Sequence, residues 1–170
     1  HMSESTPTFD IVIYGATSFV GQIMLEYLAQ YTAENEVESI NWAIAGRNEA
    51  KLLAVKAQNN LSHIPHFVAD ANDESALNTI CAQTKVVIST VGPYALYGET
   101  LIKVCAESGT DYCDLTGEPQ WIKAMLDKYE TTAKASGARI VNSAGFDSIP
   151  SDLGVYALQQ HAIATTGKPA

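Results

Sequence analysis

Short apolar, β-branched runs alternate with longer stretches in which apolar residues recur at helical spacing. Phe9–Tyr14 reads as a strand that Gly15 stops. Val20, Ile23, Met24, Tyr27, Leu28 and Tyr31 then share one face of a helix over 20–31. Thr32–Ser39 is polar and predicts a loop. Ile40–Ala45 is a second strand. Asn48 is placed to cap a helix carrying Leu52, Leu53, Val55 and Lys56. His66–Ala69 is a third strand closed by Asp70, and Asp73 opens a helix to Gln83. Lys85–Val91 is the most β-branched run of the chain and predicts a strand ending at Gly92-Pro93. Glu99–Ser108 reads as a helix with Gly109 at its end, and Asp111–Leu115 as a strand. Gly117-Glu118-Pro119 opens a helix to Ser136 that Gly137 closes. Arg139–Asn142 is the sixth strand. Pro150 suits the first turn of a last helix over Ser151–Ala162, with a polar tail from Thr165.

Strands that are apolar almost throughout are those covered by crossover helices on both faces. The alternation therefore predicts a doubly wound, mostly parallel sheet in three α/β/α layers, a Rossmann-type architecture with right-handed crossovers. At 170 residues the chain suits one domain with a full core. We expect residues 1–8 to be a tag remnant and flexible N-terminus, with His1 ahead of Met2 as the scar. Residues 9–152 are expected to form the α/β domain, and residues 153–170 a helix and tail leading toward a further domain.

Composition narrows the function. A net charge of −9 argues against a nucleic-acid partner, which needs a basic surface. It does not oppose a small anion, because helix N-termini bind phosphate whatever the net charge. No apolar run approaches the ~18 residues that span a bilayer. The three cysteines, Cys81, Cys105 and Cys113, include no C-x-x-C pair, so reduced thiols and a cytoplasmic location are expected. His63 and His66 flank Ile64-Pro65 without further ligands, so no metal is expected.

The candidate chemistry lies in the strand-to-helix turns. The first turn is Gly15-Ala16-Thr17-Ser18-Phe19-Val20-Gly21. A phosphate-binding turn needs a glycine where the chain leaves the strand, a small residue where amides meet the pyrophosphate, and a glycine where the helix packs on the sheet. Gly15, Ser18 and Gly21 fill those roles, and the Ser18 hydroxyl is expected to bond a phosphate oxygen. The second strand ends Gly46-Arg47-Asn48, with no carboxylate for a ribose 2′-hydroxyl. Gly46 leaves room, the Arg47 guanidinium suits a 2′-phosphate, and Asn48 adds a neutral bond, so NADP is preferred over NAD. Asp70 either accepts from the adenine amine or serves a turn. Gly92, Pro93 and Tyr94 are expected beside the cofactor's ribose and nicotinamide, with Tyr94 and Tyr97 as wall residues, against a plain core or surface role for each. Glu118 and Asp147 are the ionisable candidates for acid–base work, against the simpler role of carboxylates at helix starts.

Taken together, Asp10–Gly21, Ala45-Gly-Arg-Asn48, Val91-Gly-Pro-Tyr94, Tyr97-Gly98, Asp114-Leu-Thr-Gly-Glu118 and Gly145–Gly154 resemble the saccharopine dehydrogenase-like oxidoreductases. Within that family they look most like the trans-acting enoyl reductase-like members and their eukaryotic relatives. Ser18 departs from the glycine more usual in that family. The resemblance implies an N-terminal NAD(P)-binding domain followed by a larger substrate and dimerisation domain. It also implies hydride transfer between nicotinamide and a small-molecule substrate in the longer protein, with a homodimer formed through the further domain. The fragment alone is expected to be inactive. The competing reading is a non-catalytic sensor or scaffold that responds to NADP(H).

Overall fold

The computed structural model describes residues 6–34, 40–145 and 149–168. Its elements run β1 Phe9–Tyr14, α1 Phe19–Glu34, β2 Trp42–Gly46, α2 Glu49–Gln58, β3 His66–Val68, α3 Glu74–Cys81, β4 Thr84–Ser89, α4 Tyr94–Tyr97, α5 Glu99–Ser108, β5 Asp111–Asp114, α6 Pro119–Ser136, β6 Ile140–Val141 and α7 Ile149–Thr166. The six strands form one parallel sheet in the order β3-β2-β1-β4-β5-β6. The order reverses between β1 and β4, which is the switch point of a Rossmann sheet.

Side-chain alternation divides the core in two. Val12, Tyr14, Ala43, Ala45, Val87 and Tyr112 face Leu77, Ile80, Leu101, Ile102, Trp121 and Met125 of α3, α5 and α6. Ile13 and Ile44 face Leu25, Leu28, Leu52 and Val55 of α1 and α2. The predicted three layers follow from this two-sided burial. The register that sets it pairs Val12 with Ala43 on one side and with Val87 on the other.

Local chemistry sets several boundaries. The Asn48 and Asp73 side chains accept from the Lys51 and Ala76 amides, both at 3.0 Å, and so cap α2 and α3 as expected. Gly109 and Gly137 end α5 and α6 in the left-handed conformation. Other boundaries differ from expectation. β4 stops at Ser89 although its β-branched run continues to Val91. Its neighbours β1 and β5 end opposite Ser89, at Tyr14 and Asp114, so no further ladder is available. β2 starts at Trp42 rather than Ile40, in register with Ile11. α1 runs on to Glu34, where Thr32 donates back to the Leu28 carbonyl at 2.8 Å and Gln30 donates to Glu34. α7 likewise continues to Thr166, with Thr165 donating to the His161 carbonyl. The short helix α4 had no periodic signal in the sequence.

Candidate functional site

The first turn is built on close contact. Gly15 has φ +87, and a Cβ there would lie 2.6 Å from Thr90 Oγ1 and 2.7 Å from Val91 Cγ2. A Cβ on Gly21 would overlap the Gly15 carbonyl oxygen and stand 2.9 Å from Ala16 Cα. The first glycine thus lets the turn after β1 touch the turn after β4, and the second lets α1 start against the sheet. The amides of Phe19 and Val20, first-turn donors that a helix leaves unpaired, have no partner among the described residues. Phe19 is 81% exposed, and neither side chain lines the cleft at the carboxyl ends of β1–β4.

The Ser18 hydroxyl is committed inside the protein. Its Oγ accepts from the Gly21 amide at 3.0 Å and lies 3.0 Å from Thr90 Oγ1. Thr90 Oγ1 also sits 2.8 Å from the Gly15 carbonyl and 3.3 Å from the Tyr14 carbonyl. Carbonyls cannot donate, so the single Thr90 proton goes to them, and Ser18 donates to Thr90. The proton expected to reach a phosphate oxygen therefore ties the first turn to the fourth.

A cleft of 260 Å³ opens at the carboxyl ends of β1–β4. Its walls are Tyr14, Gly15, Thr17 and Ser18 from the first turn, Gly46 and Arg47 from the second, Asp70 and Ala71 from the third, and Thr90, Val91, Gly92 and Tyr97 from the fourth. Arg47 forms no hydrogen bond or ion pair with any described residue. The cations Lys85, Lys103, Lys128 and Arg139 elsewhere all pair with carboxylates. Asn48 stands next to the cleft with its Oδ1 spent on capping α2. Asp70 Oδ1 accepts from the Asn72 amide at 3.0 Å, so Asp70 serves a turn while still facing the cleft. Burial pushes the Tyr14 hydroxyl up to about 12, with the Asp70 charge adding and Arg47 opposing. Tyr14 therefore stays a neutral donor, bonded to the Ala69 carbonyl at 3.2 Å.

The turns after β5 and β6 do not reach this cleft. Tyr94, expected as a cofactor wall, is buried. Its hydroxyl donates to the Ser89 carbonyl at 2.9 Å and accepts from the Leu115 amide at 3.2 Å. Burial pushes it up to about 12 as well. The lining tyrosine is Tyr97. Pro93 follows a cis Gly92–Pro93 bond and lies outside the lining. Glu118 accepts from the Tyr94 amide at 2.7 Å and from the Ala95 amide at 3.1 Å, so it caps α4 rather than presenting a free carboxylate. Asp114, 1% exposed, accepts from the Tyr112 hydroxyl, the Asn142 amide group and the Thr116 and Ser143 backbone amides. Asp147 lies outside the described residues. Sequence reasoning passed over Thr90, Val91 and Ala71 as lining residues. Gly15, which packs against Thr90 and Val91, was legible, but its partner turn was not.

A parallel six-stranded Rossmann sheet with a glycine-lined cleft at its switch point defines a dinucleotide-binding domain. The family model for the saccharopine dehydrogenase NADP binding domain matches residues 11–141, and the chain belongs to that family. A trans-acting enoyl reductase of Mycobacterium leprae is 43% identical over 164 residues, covering 95% of this chain and 38% of that protein. A lipid droplet localized protein of Caenorhabditis elegans is 42% identical over 159 residues, covering 90% and 37%. The chain thus spans less than two fifths of the length of these curated relatives. Among solved structures, apo saccharopine dehydrogenase (L-Glu forming) from Saccharomyces cerevisiae has the same fold, with a TM-score of 0.72 at 24% identity over 92% of this chain and 32% of that one. Among the described residues no helix is long and apolar enough to cross a membrane.

Proposed function

We propose that this chain holds NADP(H) for an oxidoreductase. Residues 9–152 are its nucleotide-binding domain, and residues 153–170 lead into a region that completes the substrate site. The observation that carries this reading is Arg47: a guanidinium without a partner among the described residues, on the cleft wall beside Gly46, at a strand end that has no carboxylate for a ribose 2′-hydroxyl. The residues fit such a ligand. The Phe19 and Val20 amides are available to a pyrophosphate at the start of α1, and Gly15, Gly46 and Gly92 keep the cleft open to a close backbone approach. When bound, the nicotinamide supplies or accepts hydride. The chain's own part is to bind, orient and neutralise charge.

Two further features support a larger enzyme. The relatives named as reductases are more than twice as long as their match to this chain. Helix α7 exposes Leu153, Val155, Tyr156 and Leu158, an apolar surface suited to packing against more protein. The substrate is a small molecule held mainly outside this chain.

Calorimetric titration with NADPH and NADH tests the reading. The chain should bind NADPH at least tenfold more tightly than NADH. Arg47→Ala should cost NADPH about 10–100-fold, the range of lost charge-assisted bonds, and leave NADH unchanged. Equal losses for both would remove Arg47 from the 2′-phosphate.

A further inference from the structure

The cleft has two aromatic walls, and only one of them is unspent. The Tyr14 hydroxyl is bonded to Ala69 and its ring is buried in the core. Tyr97 is 39% exposed, lines the cleft, and makes no side-chain hydrogen bond to a described residue. Its backbone is held firmly. The Tyr97 amide donates to the Pro93 carbonyl at 3.2 Å, the following Gly98 amide donates to the Tyr94 carbonyl at 2.7 Å, and Glu118 caps the start of the same helix. A ring presented from so fixed a base loses little freedom on meeting a ligand, which favours its use as a binding face.

The position of the ring selects which end of a dinucleotide it meets. The cleft walls come from the turns after β1–β4 alone, and Tyr97 shares them with Arg47, Asp70 and Ala71. The turns after β1–β3 belong to the adenosine half of the sheet, and the fourth turn, expected beside ribose and nicotinamide, brings Tyr97 into the same cleft as Arg47, Asp70 and Ala71. A nicotinamide lies across the switch point toward β5 and β6, whose turns contribute nothing to this cleft. We propose that Tyr97 is the surface on which the adenine ring packs, with Ala71 leaving room beside it and Asp70 at its polar edge. The proposal rests on the dinucleotide reading above and adds a binding residue to it. An aromatic face recognises the base through stacking and apolar area, so it serves NADP and NAD alike. Discrimination between those two stays with Arg47.

The test is titration of the wild type, Tyr97→Ala, Tyr97→Leu and Tyr97→Phe with NADPH, NADH and 2′,5′-ADP, each variant first checked for an unchanged thermal transition. Tyr97→Ala should weaken all three ligands by the same factor, about tenfold, and leave the NADPH-to-NADH preference intact. Tyr97→Phe should stay within about twofold of wild type, and Tyr97→Leu should fall between. Unchanged affinity in Tyr97→Ala would overturn the proposal. So would a Tyr97→Phe loss as large as that of Tyr97→Ala, which would mean a bond to the hydroxyl. A loss for NADPH with none for 2′,5′-ADP would move the ring to the nicotinamide end and overturn it too. If the wild type bound none of the three ligands, the dinucleotide reading itself would fail, and this proposal with it.

Discussion

The two halves of the sheet's carboxyl edge use polar groups in opposite ways. At the ends of β1–β4, groups are left facing outward: the Arg47 guanidinium, the Tyr97 ring, and the Phe19 and Val20 amides. At the ends of β5 and β6 they are spent on each other. Asp114 takes four donors, Ser143 donates to the Thr116 carbonyl at 2.7 Å, Glu118 caps α4, and Tyr94 bridges Ser89 to Leu115. A polar group satisfied within the protein stabilises it, whereas an unsatisfied one at a cleft mouth is held ready for a ligand. The contrast separates scaffold from the face proposed above to bind the dinucleotide.

The largest effect should come from breaking the scaffold half. Asp114→Ala strands four donors in a buried site and should cost about 4 kcal/mol of unfolding free energy by denaturant titration. The protein that remains folded should keep its NADPH affinity. Gly21→Ala attacks the other half. Its new Cβ meets the Gly15 backbone, which cannot rotate away, so about 1–3 kcal/mol should be lost. The larger consequence should be on binding, with NADPH affinity falling beyond detection in the same titration. If the two variants showed the same balance of stability and binding losses, the contrast would be wrong.

Smaller changes sharpen it. Glu118→Gln keeps one acceptor for the α4 amides and should cost about 1 kcal/mol, with NADPH affinity within twofold. A hundredfold loss of turnover in the longer protein, without a stability change, would instead make Glu118 an acid–base group. The smallest effect concerns Asp111. The hydrogen bond from Arg139 holds its carboxyl below the usual aspartate range. A depressed carboxyl pKa adds stability that is present above about pH 4 and is lost as pH falls through the folded value. Asp111→Asn should therefore lower the thermal midpoint slightly at neutral pH, and the two curves should converge below about pH 4.

Legibility followed the range of the interactions. The strands were readable because two-sided burial makes them apolar residue by residue. The caps at Asn48 and Asp73 were readable because donor and acceptor lie three residues apart. Gly15 and Gly21 were assigned their packing roles from spacing alone, and the contacts their Cβ atoms would make agree. Tyr94 and Tyr97 could not be told apart, because they sit three residues apart on one short helix. The hydroxyl of the first is claimed by Leu115, 21 residues onward. Ser18 was read as a phosphate ligand because its partner Thr90 is 72 residues distant. Glu118 does open its own helix, as read, but its carboxylate caps another helix that begins 24 residues back.

The sequence by itself determined the alternation of strands and helices, the parallel doubly wound class, the tight glycine turn after the first strand and the basic residue at the end of the second strand. Each of these is written in neighbouring residues, through side-chain period, backbone freedom or local capping. Only the tertiary structure decided where β4 ends, which tyrosine faces the cleft, and which polar groups are free. A hydroxyl or carboxylate has few bonds to give, and only the packing of distant turns settles whether the protein has already taken them.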